Sequence, residues 1–458
     1  MSKRKHIGMP AVQPVGPQQT PLRVLAVFAL GQMGWSLASF GAGNLLVYFY
    51  MPPEQGVSSF PSYIYQGPVF WILTLVGMIS ALGRLLDGVT DPLIAWWSDR
   101  KKARAGKRRW FLLRGAIPLA FFGALIFFPV SEAESATNFV WMAFCLIFYY
   151  LFFAFYVIPY NALMAELSHT REDRMRTSVV VSVAWALGFV LGNGVYVLKG
   201  YFEESGMRGP EAFQEAITYL HVVAAVLMLL PALFVNENKY ARSVEDLQPF
   251  WHSVKAVAAD LNFRWFLTSY LLYWLSLTFI QMGVSYYVTI LLGLDLSMAF
   301  MFSLASFAGS FMLFLPVKWI TGRVGKKAMI SASFLIFASI FLITSASTMI
   351  NFPKEWLLYG IAGLASIPLA VFGILPNAIV GDEADFTLRT TGQSVTAMYY
   401  GVTAFTMKLG ISVANLVFPS LLLFGRSVSD PLGIQFTSLA AAAFCLMGWM
   451  AFRRYELR

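Results

Sequence analysis

The stretch GRLLDGVTDPLIAWWSDR, residues 83–100, carries three charged side chains inside an otherwise apolar run. Arg84, Asp87 and Asp91 follow an i, i+3, i+7 spacing, so on a helix they share one face. If that helix lies in a lipid bilayer, each centrally placed charge costs about 2.5–3.5 kcal/mol on insertion scales. Residues that bear such a cost usually face the interior of a helix bundle and mark an ion path. We therefore interpret this stretch as the functional centre of the chain.

The composition of the whole chain indicates a membrane protein. Of its 458 residues, 58% are hydrophobic and only 12% are charged, which is more apolar side chain than a soluble core can bury. The net charge of +9 comes from Lys and Arg that lie mostly in short loops, where the preference of basic loops for the cytoplasm explains them. We therefore expect a lipid bilayer around the chain and no nucleic-acid partner.

Apolar runs long enough to span a bilayer recur along the sequence and predict an all-α polytopic membrane protein with about twelve transmembrane helices. The connections at 98–109, 168–176, 236–255 and 322–327 are basic, whereas those at 51–66 and 131–138 contain no Lys or Arg. This alternation predicts that both termini are cytoplasmic. The predicted spans lie near 23–50, 67–97, 110–130, 138–167, 174–199, 214–235, 264–292, 297–321, 327–349, 355–381, 391–423 and 432–453.

A weak internal repeat divides the chain in two. The segment NALMAE at 161–166 closes the predicted fourth helix, and NAIVGD at 377–382 closes the tenth, 216 residues later. Two pseudo-symmetric six-helix halves are typical of the major facilitator fold, which binds its solute near the midplane between them. The predicted organisation is a cytoplasmic tail over 1–22, a six-helix bundle over 23–235, a cytoplasmic linker over 236–262, and a second bundle with a short tail over 263–458.

The acidic pair in the second helix predicts a cation or proton site. Pro92 has no N–H, so the carbonyl of Gly88 loses its helical partner beside Asp87 and Asp91. Oxygen atoms are the ligands that small hard cations prefer. The alternative is that Arg84 only neutralises one acid for insertion. The 216-residue offset maps the three charges onto Phe300, Ser303 and Phe307, so we expect one such site and not two.

Lys408 lies deep in the predicted eleventh helix, within YYGVTAFTMKLG. A lysine at that depth must reach the interface, lose its proton or meet an acid. The available acids are Asp87 and Asp91, which makes Lys408 and Arg84 the predicted coupling residues between the cation site and the second half. Snorkelling of Lys408 to the membrane interface is the alternative reading.

Charges of both signs flank the helix ends in symmetry-matched loops. They predict a gate that pairs across the two halves when the cytoplasmic side closes. Topology signalling and ordinary exposed charge are the alternative explanations. The predicted gating residues are Asp99, Arg100, Glu166, Arg174, Asp382, Asp385 and Arg389.

These motifs resemble the glycoside-pentoside-hexuronide:cation symporters, the family of the melibiose carrier within the major facilitator superfamily. The resemblance rests on RLLDGVTDPLIAWWSDR with GKRRW, on IPYNALMAEL, and on GDEAD with the Lys408 helix. It spans most of the chain. It implies that Asp87 and Asp91 are cation ligands, that Lys408 couples them to the second half, and that Na⁺ or H⁺ drives uptake.

The chain departs from that pattern around the solute. Melibiose-type members place an Asp where Ser36 stands, an Asp at Val157, an Arg near Val181 and a cation-binding Thr near Ala154. A sugar site needs polar groups, so these changes favour a different cargo and leave open whether Na⁺ or H⁺ is coupled. The predicted solute-cavity residues are Ser36, Val157, Asn161, Val181, Trp185 and Tyr399.

We therefore predict a secondary transporter that carries a glycoside or other small organic solute inward by alternating access. A lysolipid or amphiphile carrier of the same family is the near alternative. A membrane-embedded enzyme is disfavoured, because two acids one turn apart cannot flank a substrate bond from opposite sides. A non-transporting membrane protein is the other remote alternative. Because the first twenty residues lack the apolar region of a cleavable signal peptide, we expect the N-terminal tail to stay cytoplasmic. We expect no cofactor and no metal site, a monomer, and an integral protein of the bacterial inner membrane.

Overall fold

The computed structural model describes residues 20–54, 60–101, 103, 106–168, 171–240, 260–391 and 396–456. Over these residues the chain forms twelve long helices. They are α1 Leu22–Tyr50, α2 Leu75–Arg100, α3 Lys107–Leu125, α4 Ala136–Glu166, α5 Arg171–Asn193 continued by Val195–Glu204, α6 Gly209–Phe234, α7 Leu261–Leu291, α8 Met298–Val324, α9 Lys326–Ala346, α10 Lys354–Thr391, α11 Thr396–Leu421 and α12 Leu432–Arg454.

Ten of these helices are long and apolar enough to cross a membrane. The other two, α2 and α3, are of similar length but contain charged residues between positions 84 and 114. Shorter elements complete the described part of the chain. They are π-helical segments within α1 (Gly41–Leu45) and α7 (Tyr287–Leu291), a 3-10 turn Leu422–Phe424, a short helix Glu237–Tyr240, and an antiparallel pair of strands, β1 Pro68–Phe70 and β2 Leu73–Thr74.

Two predicted boundaries were wrong. The apolar run near 67–97 does not form one helix, because residues 68–74 make the β1–β2 hairpin. Thr74 is extended and its side chain accepts a hydrogen bond from the Gly77 N–H at 3.2 Å, so it caps α2 and fixes its start. The acidic segment that follows 381, predicted as a loop, is helical because α10 continues to Thr391.

The packing of the helices repeats between the two halves. In the first half, α1 packs on α5 and α6, α3 packs on α4 and α6, and α2 packs on α4. In the second half, α7 packs on α11 and α12, α9 packs on α10 and α12, and α8 packs on α10. Adding six to each helix number of the first set gives the second set, which confirms the two pseudo-symmetric halves. The exact limits of the tail, bundles and linker stay predictions; 1–19 and 241–259 lie outside the described residues.

The halves meet along three helix pairs, α2 with α11, α5 with α8, and α1 with α7. The first pair is very close: a Cβ added at Gly77 on α2 would lie 3.1 Å from the Leu416 carbonyl oxygen on α11. Nearby, the Ser412 hydroxyl donates to the Ala81 carbonyl oxygen at 3.0 Å. Backbone therefore lies against backbone here, and the acids of α2 come within reach of side chains on α11.

Replacing Gly188 with Ala should destabilise the first half. A Cβ at Gly188 on α5 would lie 2.4 Å from the Met33 carbonyl oxygen on α1, so the two helices must separate. We expect a loss of about 1–3 kcal/mol of stability, measured as a lower melting temperature of the purified protein. Gly200→Ala, in the same helix with nothing within 4 Å of the added Cβ, is the matched control. Equal melting temperatures for the two variants would contradict this packing.

Candidate functional site

Lys408 on α11 contacts both acids of α2. Its Nζ atom lies 2.9 Å from Asp87 Oδ2 and 2.5 Å from Asp91 Oδ2. The i, i+4 spacing of the acids places the two Oδ2 atoms on one face of α2, and the close α2–α11 packing brings the ammonium group between them. A base of the second half is therefore held by two acids of the first half.

Arg84 completes a charged cluster, which we define as Arg84, Asp87, Asp91 and Lys408. Arg84 Nη1 lies 3.4 Å from Asp87 Oδ2, and its guanidinium lies 5.9 Å from the ring centroid of Tyr150 on α4. The Asp87 side chain is fully buried, whereas Lys408 and Asp91 keep some exposure. With both carboxylates ionised, two positive and two negative charges cancel in this cluster.

Each acid of the cluster keeps one oxygen atom free of hydrogen bonds. Asp87 Oδ1 and Asp91 Oδ1 are buried and form no hydrogen bond to the described part of the chain. Gly88 lies between them in sequence, and a Cβ there would be 3.9 Å from the side chain of Lys408. Two carboxylates with free oxygen atoms are a donor set suited to a proton or Na⁺. The role predicted for Gly88 stays a prediction.

Three predicted solute-cavity residues are packed into the protein. The Ser36 hydroxyl donates to the Trp185 carbonyl oxygen at 2.7 Å and joins α1 to α5. The Tyr399 hydroxyl lies 2.8 Å from Thr387 Oγ1, and its ring packs on Phe263. Val157 is also buried. The oxygen atoms of Ser36 and Tyr399 thus hold helices together in this structure.

The other three predicted cavity residues are less enclosed. Asn161 is exposed, and Val181 is half-buried. Trp185 is half-buried as well, with its ring 6.2 Å from that of Phe307 on α8. Of these six residues, Trp185 is the one that contacts the wall of a cavity. Its ring lies against Phe307, which belongs to the second half and lines that cavity.

That cavity lies between α5, α7, α8, α9 and α10, and sequence reasoning did not find its polar residues. It is lined mainly by apolar and aromatic side chains. The residues used below are Phe189, Asn193, Gln281, Phe302, Ser303 and Phe307. One signal was available in the sequence, because Ser303 and Phe307 are the positions onto which the internal repeat maps Asp87 and Asp91.

A family model described as MFS/sugar transport protein matches residues 27–431. The chain belongs to this family. The match confirms the resemblance to cation symporters of glycosides, and it identifies the chain as a transporter and not an enzyme. The intramembrane charges therefore belong to a protein of a solute-transport family.

Curated relatives of this family member share low identity over long alignments. The inner membrane symporter YicJ of Escherichia coli strain K12 is 24% identical over 421 residues, 83% of this chain and 84% of that protein. The isoprimeverose transporter of Lactiplantibacillus pentosus is 20% identical over 381 residues, 82% of this chain and 77% of the relative. With the uncharacterized symporter sll1374 of Synechocystis the alignment is 24% identical and spans only 37% of that relative's length.

Solved transporter structures confirm the fold. The nucleoside transporter NupG superposes with a TM-score of 0.64 at 12% identity, over 95% of this chain and 99% of that one. The inward open conformation of the xylose transporter XylE from E. coli gives a TM-score of 0.65 at 11% identity, over 95% and 96% of the two chains. The chain thus has the major facilitator fold predicted from its sequence.

At the basic end of the transporter, defined by the α2–α3 and α8–α9 connections, Arg108 is the central charge of the first half. Its guanidinium contacts Asp99 at 2.5 Å and Glu166 at 2.9 Å, and it also donates to Ser98. Arg100 instead lies over the Trp96 ring at 4.2 Å. Sequence reasoning missed Arg108 because it lies within a run of basic residues that topology alone explains.

Three of the predicted gating acids, Asp99, Glu166 and Asp382, pair within their own halves in this structure. Glu166 is held by Arg108, and Asp382 is paired with Lys326 at the start of α9. Asp385 and Arg389 are exposed on α10, while the side chain of Arg174 lies outside the described residues. Pairing of these charges across the halves stays a prediction for another conformation.

The opposite end, which carries the α1–α2 and α11–α12 connections, holds polar contacts between the halves. Arg426 Nε lies 3.1 Å from Glu54 Oε1, and Arg426 also donates to Gln66. The Tyr286 hydroxyl of α7 donates to the Met51 carbonyl oxygen at 2.7 Å. Glu54 and Arg426 were not singled out from the sequence, because loop charges carry no insertion cost that marks them.

Proposed function

We propose that this transporter couples Na⁺ or H⁺ to the inward carriage of a sugar or glycoside by alternating access. The observation that carries the proposal is the double contact of Lys408 with Asp87 and Asp91, which links the two halves. Relatives named as symporters and as an isoprimeverose transporter support a cation and a sugar as the two cargoes.

Charge balance explains how a cation would act at this site. The charged cluster is neutral without a cation, so an arriving cation gives it a net positive charge unless Lys408 withdraws. The cation and the ammonium group therefore compete for the same two carboxylates. Because Lys408 belongs to the second half, this competition changes a contact between the halves, which is the kind of element that alternating access requires.

The contacts between the two halves indicate on which side of the membrane the transporter is closed. The positive-inside rule places the basic end in the cytoplasm and both termini with it. The Glu54–Arg426 contact then closes the non-cytoplasmic side. We further propose that the chain acts as a monomer in the bacterial inner membrane, since one chain supplies both halves of the pathway.

Cross-linking the non-cytoplasmic ends should stop transport. Glu54 and Ser427 form a parallel β-bridge, and bridged strands lie about 4.8 Å apart, within the Cα range of a disulfide. Combining Glu54→Cys with Ser427→Cys should give a variant that loses most solute uptake when oxidised and recovers it after reduction. The native Cys145 and Cys445 are buried.

The two single-cysteine variants are the controls, because each removes one side chain without allowing the cross-link. Uptake by the oxidised double variant that equals uptake by the single variants would show that these ends need not separate. The measurement is uptake by proteoliposomes before and after the reductant is added.

The proposed function itself is tested by gradient-driven uptake. Purified protein in proteoliposomes is given matched methyl glycosides of glucose, galactose and xylose, under a Na⁺ gradient, a proton gradient or none. Accumulation of one solute that needs one of the gradients is the expected result. Flux of every solute that is independent of both gradients would reject coupling.

An amphiphile is the second candidate cargo. The observation that favours it is the apolar character of Val157 and Val181, where melibiose-type members carry charged side chains, and the aromatic lining of the cavity. The same proteoliposome assay with a lysophospholipid separates the two cargoes. Transport of the lysophospholipid without any glycoside uptake would replace the sugar in the proposal.

A further inference from the structure

We infer that the cavity between α5, α7 and α8 is the binding site for the neutral, hydroxyl-bearing ring of the solute, and that it selects neutral glycosides over hexuronides. The inference rests on the proposed function and names the class of its solute. It assigns the recognition of the sugar to residues away from Ser36, Val157 and Val181.

The internal repeat places this cavity at the pseudo-symmetric equivalent of the charged cluster. Ser303 and Phe307 on α8 correspond, at an offset of 216 residues, to Asp87 and Asp91 on α2. The helix α8 packs on α5 across the two halves, just as α2 packs on α11. The α2–α11 pair thus presents ionised side chains between the halves, and the equivalent α8–α5 pair presents the hydroxyl of Ser303 and the ring of Phe307.

Three polar groups of the cavity, Asn193 Oδ1 and the side chains of Gln281 and Ser303, form no hydrogen bond within the described residues. Asn193 is 1% exposed, and its amide nitrogen donates to the Phe189 carbonyl oxygen at 3.2 Å, while its Oδ1 atom forms no hydrogen bond to the described chain. The side chains of Gln281 and Ser303 likewise form no hydrogen bond to that part of the chain. A buried acceptor without a donor is costly, and a hydroxyl of a bound solute removes that cost.

Aromatic rings supply the rest of the lining. The rings of Phe189 and Phe307 lie 5.1 Å apart, and Trp185 lies behind them with its ring 5.9 Å from that of Phe189. Phe302 adds a further ring to the wall. Apolar walls with a few convergent polar groups are the usual composition of a small-molecule site. A sugar ring matches this combination, because it presents C–H faces to rings and hydroxyls to amides.

The charge of the cavity selects among sugars. None of its lining residues is ionisable. A hexuronide would bring an ionised carboxylate into a cavity that has no lining cation to compensate the loss of its hydration. A neutral glycoside of the same stereochemistry carries a hydroxymethyl group in place of the carboxylate and has no such cost.

The inference is tested by solute binding to the purified, full-length protein. Thermal shifts are measured with the methyl glycosides of glucose, galactose and xylose, and with methyl glucuronide and methyl galacturonide as acidic counterparts. We expect at least one neutral glycoside to stabilise the wild type, with its acidic counterpart at least tenfold weaker. Asn193→Ala and Gln281→Ala should each weaken that binding about tenfold.

Controls separate a binding defect from a folding defect. The cation-induced thermal shift should be unchanged in both variants, because the charged cluster is intact. Gln435→Ala, which removes a partly buried amide on α12, should bind the glycoside like the wild type. Gln281 is less buried than Asn193, so its variant keeps the test decisive if Asn193→Ala does not fold.

Two outcomes overturn the inference alone. One is wild-type affinity of the Gln281→Ala variant for the neutral glycoside. The other is equal affinity of the wild type for the neutral glycoside and its hexuronide counterpart. In both cases the proposed carriage of a glycoside stands and its binding site lies elsewhere. Failure of every glycoside, neutral and acidic, to bind the wild type overturns the proposed function together with the inference.

Discussion

Replacing Asp87 with Asn should abolish gradient-driven accumulation of the solute while leaving exchange of solute across the membrane. Asp87 is fully buried and contacts both Lys408 and Arg84. The variant keeps Asp91 as the one acid beside two bases, so its cluster carries the net positive charge of a cation-loaded wild type. The variant therefore carries the net charge of the cation-loaded state even when no cation is bound, so a cation gradient cannot drive its transport. We expect accumulation to fall at least about a hundredfold, which corresponds to about 2.7 kcal/mol.

Two assays on the same proteoliposomes measure this effect. Uphill uptake is followed under an imposed Na⁺ or proton gradient, and solute exchange is followed without a gradient. Glu355→Gln is the matched control, because Glu355 is exposed in the first turn of α10. Accumulation by Asp87→Asn at the wild-type level would remove Asp87 from the cation site. Loss of exchange as well as accumulation, with normal folding, would assign Asp87 to solute binding instead.

Replacing Lys408 with Gln should separate cation binding from transport. The change removes one positive charge from the neutral cluster, so the two carboxylates retain a net negative charge beside Arg84. Nothing on α11 then competes for Asp87 Oδ2 and Asp91 Oδ2. We expect the cation to bind at least tenfold more tightly, because the positive charge of Lys408 beside the two carboxylates no longer repels it. Coupled uptake should fall about a hundredfold, since cation occupancy no longer alters a contact between the halves.

The matched control for this variant is Lys318→Gln. Lys318 is an exposed lysine on α8, the pseudo-symmetric counterpart of α2, and it forms no ion pair with the described part of the chain. Its replacement should leave cation affinity and coupled uptake unchanged. A Lys408→Gln variant with normal coupled uptake would show that the link between cation and conformation lies elsewhere.

The sequence was sufficient to predict the fold and the charged cluster for one physical reason. A charge inside an apolar span is so costly that it must have a partner, and few partners are available. Arg84, Asp87 and Asp91 share a helix face by spacing alone, and Lys408 lies far from both ends of a predicted span that carries no acid of its own. The structure places Lys408 on those acids across 317 residues of sequence.

The solute cavity could not be predicted in the same way. Ser36 and Tyr399 are polar residues in apolar helices. A hydroxyl can form its hydrogen bond with a neighbouring protein group, however, and both of these hydroxyls do so. The amides of Asn193 and Gln281 carry no charge, so their position in an apolar run costs too little to mark them. Only the three-dimensional packing of α5 on α8 distinguishes a hydroxyl that joins two helices from an amide that faces a cavity.

The hairpin before α2 was missed for a related reason. Residues 68–74 are as apolar as the helix that follows, so hydropathy assigns them to one span. The boundary is set by the capping hydrogen bond of Thr74, a local contact that hydropathy does not register. The twelve predicted helices are therefore present in the predicted order, while their ends depend on caps.

The central claim is that the coupling cation and Lys408 compete for Asp87 and Asp91. It is tested most directly by titrating solute-free protein with Na⁺ at fixed pH, and with protons in the absence of Na⁺, while the melting temperature is recorded. One of the two cations should stabilise the wild type and should stabilise Lys408→Gln at an at least tenfold lower concentration, with no effect on the double variant Asp87→Asn, Asp91→Asn. Equal or weaker cation affinity in Lys408→Gln, or an unchanged response in the double variant, would contradict the claim.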